Sequence, residues 1–201
     1  STRLHIAGRH NVTNALAAAA CALAAGAPLD AIAQGLESFT PVKGRSRAFS
    51  VRGITVVDDT YNANPDSVVA AIRVLAELPA PRLLVLGDMG EVGEQGLAFH
   101  LEVLRHAMTS GIEAVHCSGD WMAQAVQAMQ AAGEAAPRHW TDVSALVAHV
   151  CHAVSAPQPS PVLSVLVKGS RFMRMERVVQ GLQALVTPDG QNNHKDTSHA
   201  A

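Results

Sequence analysis

A chain of 201 residues has room for one large domain, or one domain plus a fragment, and its core can be sizeable without covalent staples. The formal net charge of -2 at pH 7 gives no electrostatic case for nucleic acid or an anionic membrane as partner, and 3% aromatics leave few platforms for stacking bases. No apolar run approaches the roughly 20 residues that span a bilayer, and the first residues lack the basic-then-apolar order of a signal peptide, so the expectation is a cytoplasmic protein with no membrane partner.

Residues 1–7 read as a short strand. The alanine- and leucine-dense run Ala15–Ala25 then predicts a helix with Asn11 or Thr13 as its N-cap, ended by Gly26-Ala27-Pro28. A second helix is expected over Leu29–Phe39, with Leu29, Ile32, Ala33 and Leu36 on one face. Two helices and a short strand cannot enclose a core of their own. Residues 1–40 therefore read as the tail of a domain whose body lies upstream, or as an arm that packs on the downstream part of the chain. Residues 41–45 are a linker by composition.

Arg47–Val51 and Ile54–Asp59 form a predicted β-hairpin about Arg52-Gly53. From Ser67 the pattern alternates regularly. Helices are expected over Ser67–Leu78, Leu97–Ser110, Trp121–Ala132, Asp142–Val154 and Phe172–Leu185. Strands are expected over Arg82–Leu86, Ala114–Cys117, weakly near Arg138–Trp140, and over Val162–Val167. Strands apolar on both faces that alternate with amphipathic helices imply a doubly wound, mostly parallel α/β sheet over residues 46–186, with the hairpin as an antiparallel edge. Residues 187–201 are polar and unpatterned and are expected to be disordered.

Candidate chemistry gathers at three strand ends: Asp58-Asp59, Gly87-Asp88, and Lys168-Gly169-Ser170-Arg171. In an open α/β sheet ligands dock at such ends. Adjacent strand carboxylates point to opposite faces, so Asp58 and Asp59 are not expected to share one proton or metal. A strand, an Asx-rich turn and an N-cap explain Asn64-Pro65-Asp66 well, and two carboxylates at the end of a buried strand less well. Lys168 and Arg171, read as the start of the last helix, suit a carboxylate or phosphate. The three cysteines (Cys21, Cys117 and Cys151) are far apart and read as buried free thiols. His149 and His152, three apart on a helix, read as a solvated face rather than a metal site. There is no Walker-type loop, no G-x-G-x-x-G after a strand and no nucleophile elbow. The residues alone describe a ligand-binding α/β domain without an obvious catalytic engine.

Gly8-Arg9-His10-Asn11-x-x-Asn14, Pro41-Val42-Lys43-Gly44-Arg45, Asp58-Asp59-Thr60-Tyr61-Asn62-Ala63-Asn64-Pro65, Gly87-Asp88-Met89-x-Glu91-x-Gly93 with His100, and Lys168-Gly169-Ser170-Arg171 with Met175-Glu176 occur in order. This series, spanning residues 1 to about 185, resembles the Mur ligase family, and within it the members that add D-alanyl-D-alanine to UDP-N-acetylmuramoyl-tripeptide. The resemblance implies an ATP-dependent, amide-forming ligase of peptidoglycan synthesis working through an acyl phosphate. It implies that this chain holds the last helices of a central ATPase domain (1–40), a hinge at 41–45 and the Rossmann-like C-terminal domain. The P-loop, the Mg²⁺ ligands and the UDP-binding domain would lie upstream, leaving the fragment inactive alone.

By the same resemblance His10, Asn11 and Asn14 would line the adenine side of the ATP site, and Arg45 would approach the phosphates. Asp59 would take the ribose hydroxyls, with Asp58 and Tyr61 beside it. Asn62, Asn64 and His100 would lie near the reaction centre. Asp88, Lys168, Ser170 and Arg171 would be candidates for holding the dipeptide. The alternatives are a non-catalytic nucleotide- or dipeptide-binding module, and the related folylpolyglutamate synthase branch, against which the Tyr61–Asn64 and Lys168–Arg171 motifs argue.

Overall fold

A computed structural model describes residues 2, 4, 6, 8–40, 42–156 and 162–186, with only the backbone of Arg9 and His10. The expected N-terminal strand falls largely outside the described residues, and the C-terminal tail 187–201 wholly so. Strands β1 (Arg47–Val51) and β2 (Ile54–Asp59) pair antiparallel across the Arg52-Gly53 turn. Both turn residues have positive φ (52° and 83°), which matches the twist of a two-residue hairpin. The chain then continues through α3 (Pro65–Ala76), β3 (Arg82–Gly87), α4 (Gly96–Thr109), β4 (Ala114–Ser118), α5 (Asp120–Ala131), β5 (Arg138–His139), α6 (Val143–Ser155), β6 (Ser164–Lys168) and α7 (Glu176–Ala184). Before the hairpin come α1 (Arg9–Ala24) and α2 (Leu29–Ser38).

The sheet order is β1-β2-β6-β3-β4-β5, parallel except for β1. Its two faces have separate cores. Val57, Leu84, Leu86, Cys117 and Leu166 pack under α3, α4 and α5, whereas Val56, Leu83, Val85, Val165 and Val167 pack under α6 and α7. Consecutive apolar residues are thus needed on each central strand, one for each layer of helices. The doubly wound α/β expectation holds.

Three expectations change. First, α1 starts at Arg9, behind a Gly8 whose φ of 97° turns the chain into the helix without a side-chain cap. Asn11 and Thr13 lie inside it, at a propensity cost of a few tenths of a kcal/mol each that the alanine-rich continuation outweighs. Second, the expected last helix is broken. Arg171–Met173 form a 3₁₀ turn, Arg174 is left-handed (φ 51°), and α7 begins only at Glu176. The wholly buried Met175 is wedged against Gly87 and Gly169, where a Cβ on either glycine would stand under 3 Å from its Cγ, and the chain kinks to place it. Third, Cys21 is exposed on α1; Cys117 is buried, and burial pushes its thiol up to about 12, with Asp88 adding to the shift.

Helix α2 has no buried residue, and Leu16, Leu23, Leu29 and Phe39 of the N-terminal helices and the segment after them are exposed. No helix among the described residues is long and apolar enough to cross a membrane.

Candidate functional site

The strand order brings the predicted strand ends together. β6 lies between β2 and β3, with Asp59 opposite Lys168 on one side and Leu86 opposite Lys168 on the other. Beside these ends is a cavity of about 530 Å³, within the roughly 300–1,000 Å³ of small-molecule sites. Asn11, Asn14 and Phe39 reach it from the N-terminal segment; Arg45, Asp59 and Tyr61 reach it from the α/β domain. Asn62, Asn64 and Lys168 also line it. The His10 side chain lies outside the described residues.

Asp59 is the anchor of this wall. One carboxylate oxygen accepts the Lys168 ammonium at 2.6 Å, and the other accepts the backbone N–H and the hydroxyl of Ser46 at 2.9 and 3.2 Å. A carboxylate has about four acceptor directions, so three internal bonds leave about one for a ligand hydroxyl. The Asp59 side chain is 15% exposed, enough for that one contact. Ser46 is not among the site residues expected from sequence, yet the hairpin register that pairs Arg47 with Asp58 places it opposite Asp59 one step further on.

Asp58 points to the other face, as its neighbour relation requires. It is buried and accepts the Thr60 hydroxyl at 2.7 Å and the Thr60 amide at 3.3 Å, so it braces the turn rather than standing beside a ribose. Asn64 is the N-cap of α3 in a reciprocal capping box with Ser67, and Asn62 bonds the Ala63 amide. Pro65 at the first helical position completes a well-formed start.

The residues expected at the reaction centre and the dipeptide site divide into occupied and open groups. His100 is fully buried, not open to the crevice. Its Nε2 accepts the Met89 amide at 2.9 Å, so the proton is on Nδ1, which donates to the Gly96 carbonyl at 2.6 Å. Burial lowers its pKa, against the Gly96 bond and the Asp88 charge, and this keeps the ring a neutral brace. Asp88, expected to meet an ammonium, is 3% exposed; its two oxygens cap α5 by accepting the Trp121 and Met122 amides at 3.1 and 2.9 Å.

Lys168 is also 3% exposed, and donates to Asp59 and to the Asn62 carbonyl. Ser170 is 2% exposed. Its hydroxyl accepts the Gly90 amide at 2.5 Å and donates to the Ala63 carbonyl at 3.1 Å, while its own amide donates to the Asp88 carbonyl. Lys168 and Ser170 thus clasp the turns after β2 and β3. Of the four, only Arg171 is exposed, and because α7 starts later, no long-helix N-terminus reinforces it. Among the described residues no group of three or more His, Cys, Asp or Glu is arranged to hold a metal.

The linker is tied into this frame at one point. The Tyr61 amide donates to the Gly44 carbonyl at 2.9 Å, and Gly44 has φ +80° with its absent Cβ 3.0 Å from that amide nitrogen. Only glycine permits this approach.

The family model described as the Mur ligase, glutamate ligase domain, matches residues 44–171. A relative named UDP-N-acetylmuramoyl-tripeptide--D-alanyl-D-alanine ligase from Escherichia coli (strain K12) is 41% identical over 181 residues, 90% of this chain and 38% of the relative. Its namesake from Haemophilus influenzae is 39% identical over 178 residues, 88% of this chain and again 38% of the relative. A crystal structure of MurF from Acinetobacter baumannii superposes with a TM-score of 0.78 at 33% identity, covering 91% of this chain and 39% of that one. MurF from Thermotoga maritima, solved in complex with ADP, shares the fold at a TM-score of 0.71 and 22% identity, over 90% of this chain and 39% of that one. The chain therefore spans about two fifths of the length of these relatives.

Proposed function

The chain belongs to the Mur ligase family, and from that premise we propose that it is the C-terminal part of a cytoplasmic ATP-dependent ligase that joins D-alanyl-D-alanine to UDP-N-acetylmuramoyl-tripeptide in peptidoglycan precursor synthesis. The observation that carries the reading is the cavity that joins Asn11 and Asn14 to Arg45 and Asp59 above the strand ends. It offers amide groups, a guanidinium and a carboxylate with about one vacant acceptor direction, a donor and acceptor set that suits a nucleotide.

In this reading Asn11 and Asn14, with His10, belong to the adenine side. Asp59 accepts one ribose hydroxyl, Arg45 meets phosphate, and Asn62 lies towards the reacting carboxylate. When bound, ATP supplies the phosphoryl group that activates that carboxylate, with Mg²⁺ held by residues of the upstream domain. Residues 1–40 are the end of that domain. In this reading the 41–45 linker is the hinge of a domain closure, with Gly44 bonded to the Tyr61 turn. Closure over the cavity would exclude water from the reacting groups.

The test is the complete ligase, assayed for ATP-dependent joining of D-alanyl-D-alanine to the tripeptide. Arg45→Ala and Asp59→Ala are each expected to lower kcat/KM by on the order of a hundred-fold. Wild-type rates in both variants would remove the residue assignments. The 201-residue chain alone is expected to show no ATP hydrolysis, and a measured turnover would overturn its reading as half of a site.

A further inference from the structure

The Tyr61 ring has two arginines on it. The Arg45 guanidinium lies 4.3 Å and the Arg171 guanidinium 5.3 Å from its centroid. Neither arginine forms an ion pair with a carboxylate among the described residues. Asp59, which lines the same cavity as Arg45, is already bonded to Lys168 and Ser46. The backbones that carry the two arginines are fastened to the same turn. Gly44, next to Arg45, accepts the Tyr61 amide, and the side chains of Lys168 and Ser170, three residues and one residue before Arg171, donate to the carbonyls of Asn62 and Ala63. Arg45 arrives from the linker and Arg171 from the end of β6, and the Tyr61–Ala63 turn is the frame on which both are mounted.

We propose that Tyr61 is a positioning residue that holds Arg45 and Arg171 as a guanidinium pair for one phosphoryl polyanion, which assigns Arg171 to phosphate rather than to the dipeptide carboxylate. The inference rests on the nucleotide reading above and deepens it. A cation over an aromatic face is attracted by the ring quadrupole, so one ring can hold two guanidiniums that otherwise repel. Two such cations without a carboxylate call for an anion of charge two or more. A dipeptide carboxylate supplies one charge, whereas a polyphosphate supplies more and offers oxygens for bidentate bonding to each guanidinium. Arg45 and Tyr61 line the cavity, and Arg171 lies outside that lining, 5.3 Å from the Tyr61 ring centroid.

The test is calorimetric titration of sodium tripolyphosphate into the 201-residue chain at low ionic strength, without Mg²⁺. Tyr61→Leu is expected to weaken binding about five-fold and Tyr61→Phe, which keeps the ring, less than about two-fold, as loss or retention of two exposed cation–π contacts requires. Arg171→Ala is expected to weaken it about ten-fold through the lost charge-assisted bonds. In an Arg45→Ala/Arg171→Ala background Tyr61→Leu should add no further loss, because the ring then has nothing to align. All three side chains are exposed, so melting temperatures should not change. Wild-type binding by Arg171→Ala, an undiminished Tyr61→Leu effect without the arginines, or no tripolyphosphate heat from the wild-type chain would each overturn the proposal.

In the complete ligase Arg171→Ala should raise KM for ATP and leave KM for D-alanyl-D-alanine near its original value. The reverse pattern would sink the pairing while leaving the ligase reading intact. A wild-type protein without ligase activity would instead sink that reading, even where tripolyphosphate bound as expected.

Discussion

Lys168 reads in the sequence as a ligand contact, but its ammonium is enclosed, and replacing it tests that placement directly. Its side chain is 4% exposed and donates to Asp59 at 2.6 Å and to the Asn62 carbonyl at 2.9 Å. Lys168→Met keeps most of the buried stem and removes only the charge. Breaking a buried pair by deleting one partner costs about 3–5 kcal/mol, because the other charge is left uncompensated. Asp59 is somewhat more open and keeps two bonds from Ser46, which lowers the expected cost to about 2–3 kcal/mol. Urea unfolding of the 201-residue chain measures this as a shift of the midpoint at unchanged slope. Adding Asp59→Asn to Lys168→Met removes the stranded charge, so the double variant should be less destabilised than the two single costs sum to, by about 1 kcal/mol or more. A Lys168→Met midpoint within about 0.5 kcal/mol of wild type would show that the ammonium is not held in that pair.

The same frame sets three further outcomes. Gly119 has φ +126° and its Cβ would enter the Asp88 carboxylate, so Gly119→Ala should cost about 3 kcal/mol or more; Gly133→Ala, at φ +70° with nothing within 4 Å, should cost only about 1–2 kcal/mol of backbone strain, and equal melting temperatures would refute the contrast. Asn64→Ala removes the cap of α3 and should cost about 1 kcal/mol in urea unfolding, with no loss counting against the capping box. His116 is held down at about 4 by burial first and then by the charges of His149 and Arg138. Its folded value lies below that of the unfolded chain, so the unfolded chain takes up the proton first, and stability present above about pH 6.5 is lost as pH falls towards 4. Partial exposure limits the loss to about 1–2 kcal/mol, and an unchanged pH slope in His116→Gln would refute it.

The parallel sheet was legible because its strands carry apolar residues for two layers, and Leu83 and Leu84 do go to opposite cores. The hairpin was legible from Arg52-Gly53, and its register, once fixed, places Ser46 against Asp59. The strand order could not be read. Lys168 meets Asp59 across 109 residues because β6 inserts between β2 and β3, and no local pattern encodes that insertion. The break before α7 was hidden for a related reason. The helical pattern of Phe172–Leu185 is real, but Met175 is drawn to the space left by Gly87 and Gly169, which belong to the ends of other strands. The engagement of Asp88 with α5 is likewise a contact between distant segments.

Five of the polar groups that the sequence offered as ligand contacts are consumed in building the wall that holds the open ones. Asp58, Asp88, His100, Lys168 and Ser170 are buried and bonded to backbone or to neighbouring side chains. A half-satisfied buried network is costly, whereas a fully satisfied one fixes geometry. These five fix the turns after β2, β3 and β6, so that Arg45, Tyr61 and the remaining acceptor direction of Asp59 stand at set positions on one cavity wall. A wall of that kind needs a partner surface to enclose a ligand. Leu16, Leu23, Leu29 and Phe39, on α1, α2 and the segment after them, are left exposed. The motif that looks richest in ligand chemistry, Lys168-Gly169-Ser170-Arg171, thus has its first three residues built into the frame and only its last exposed.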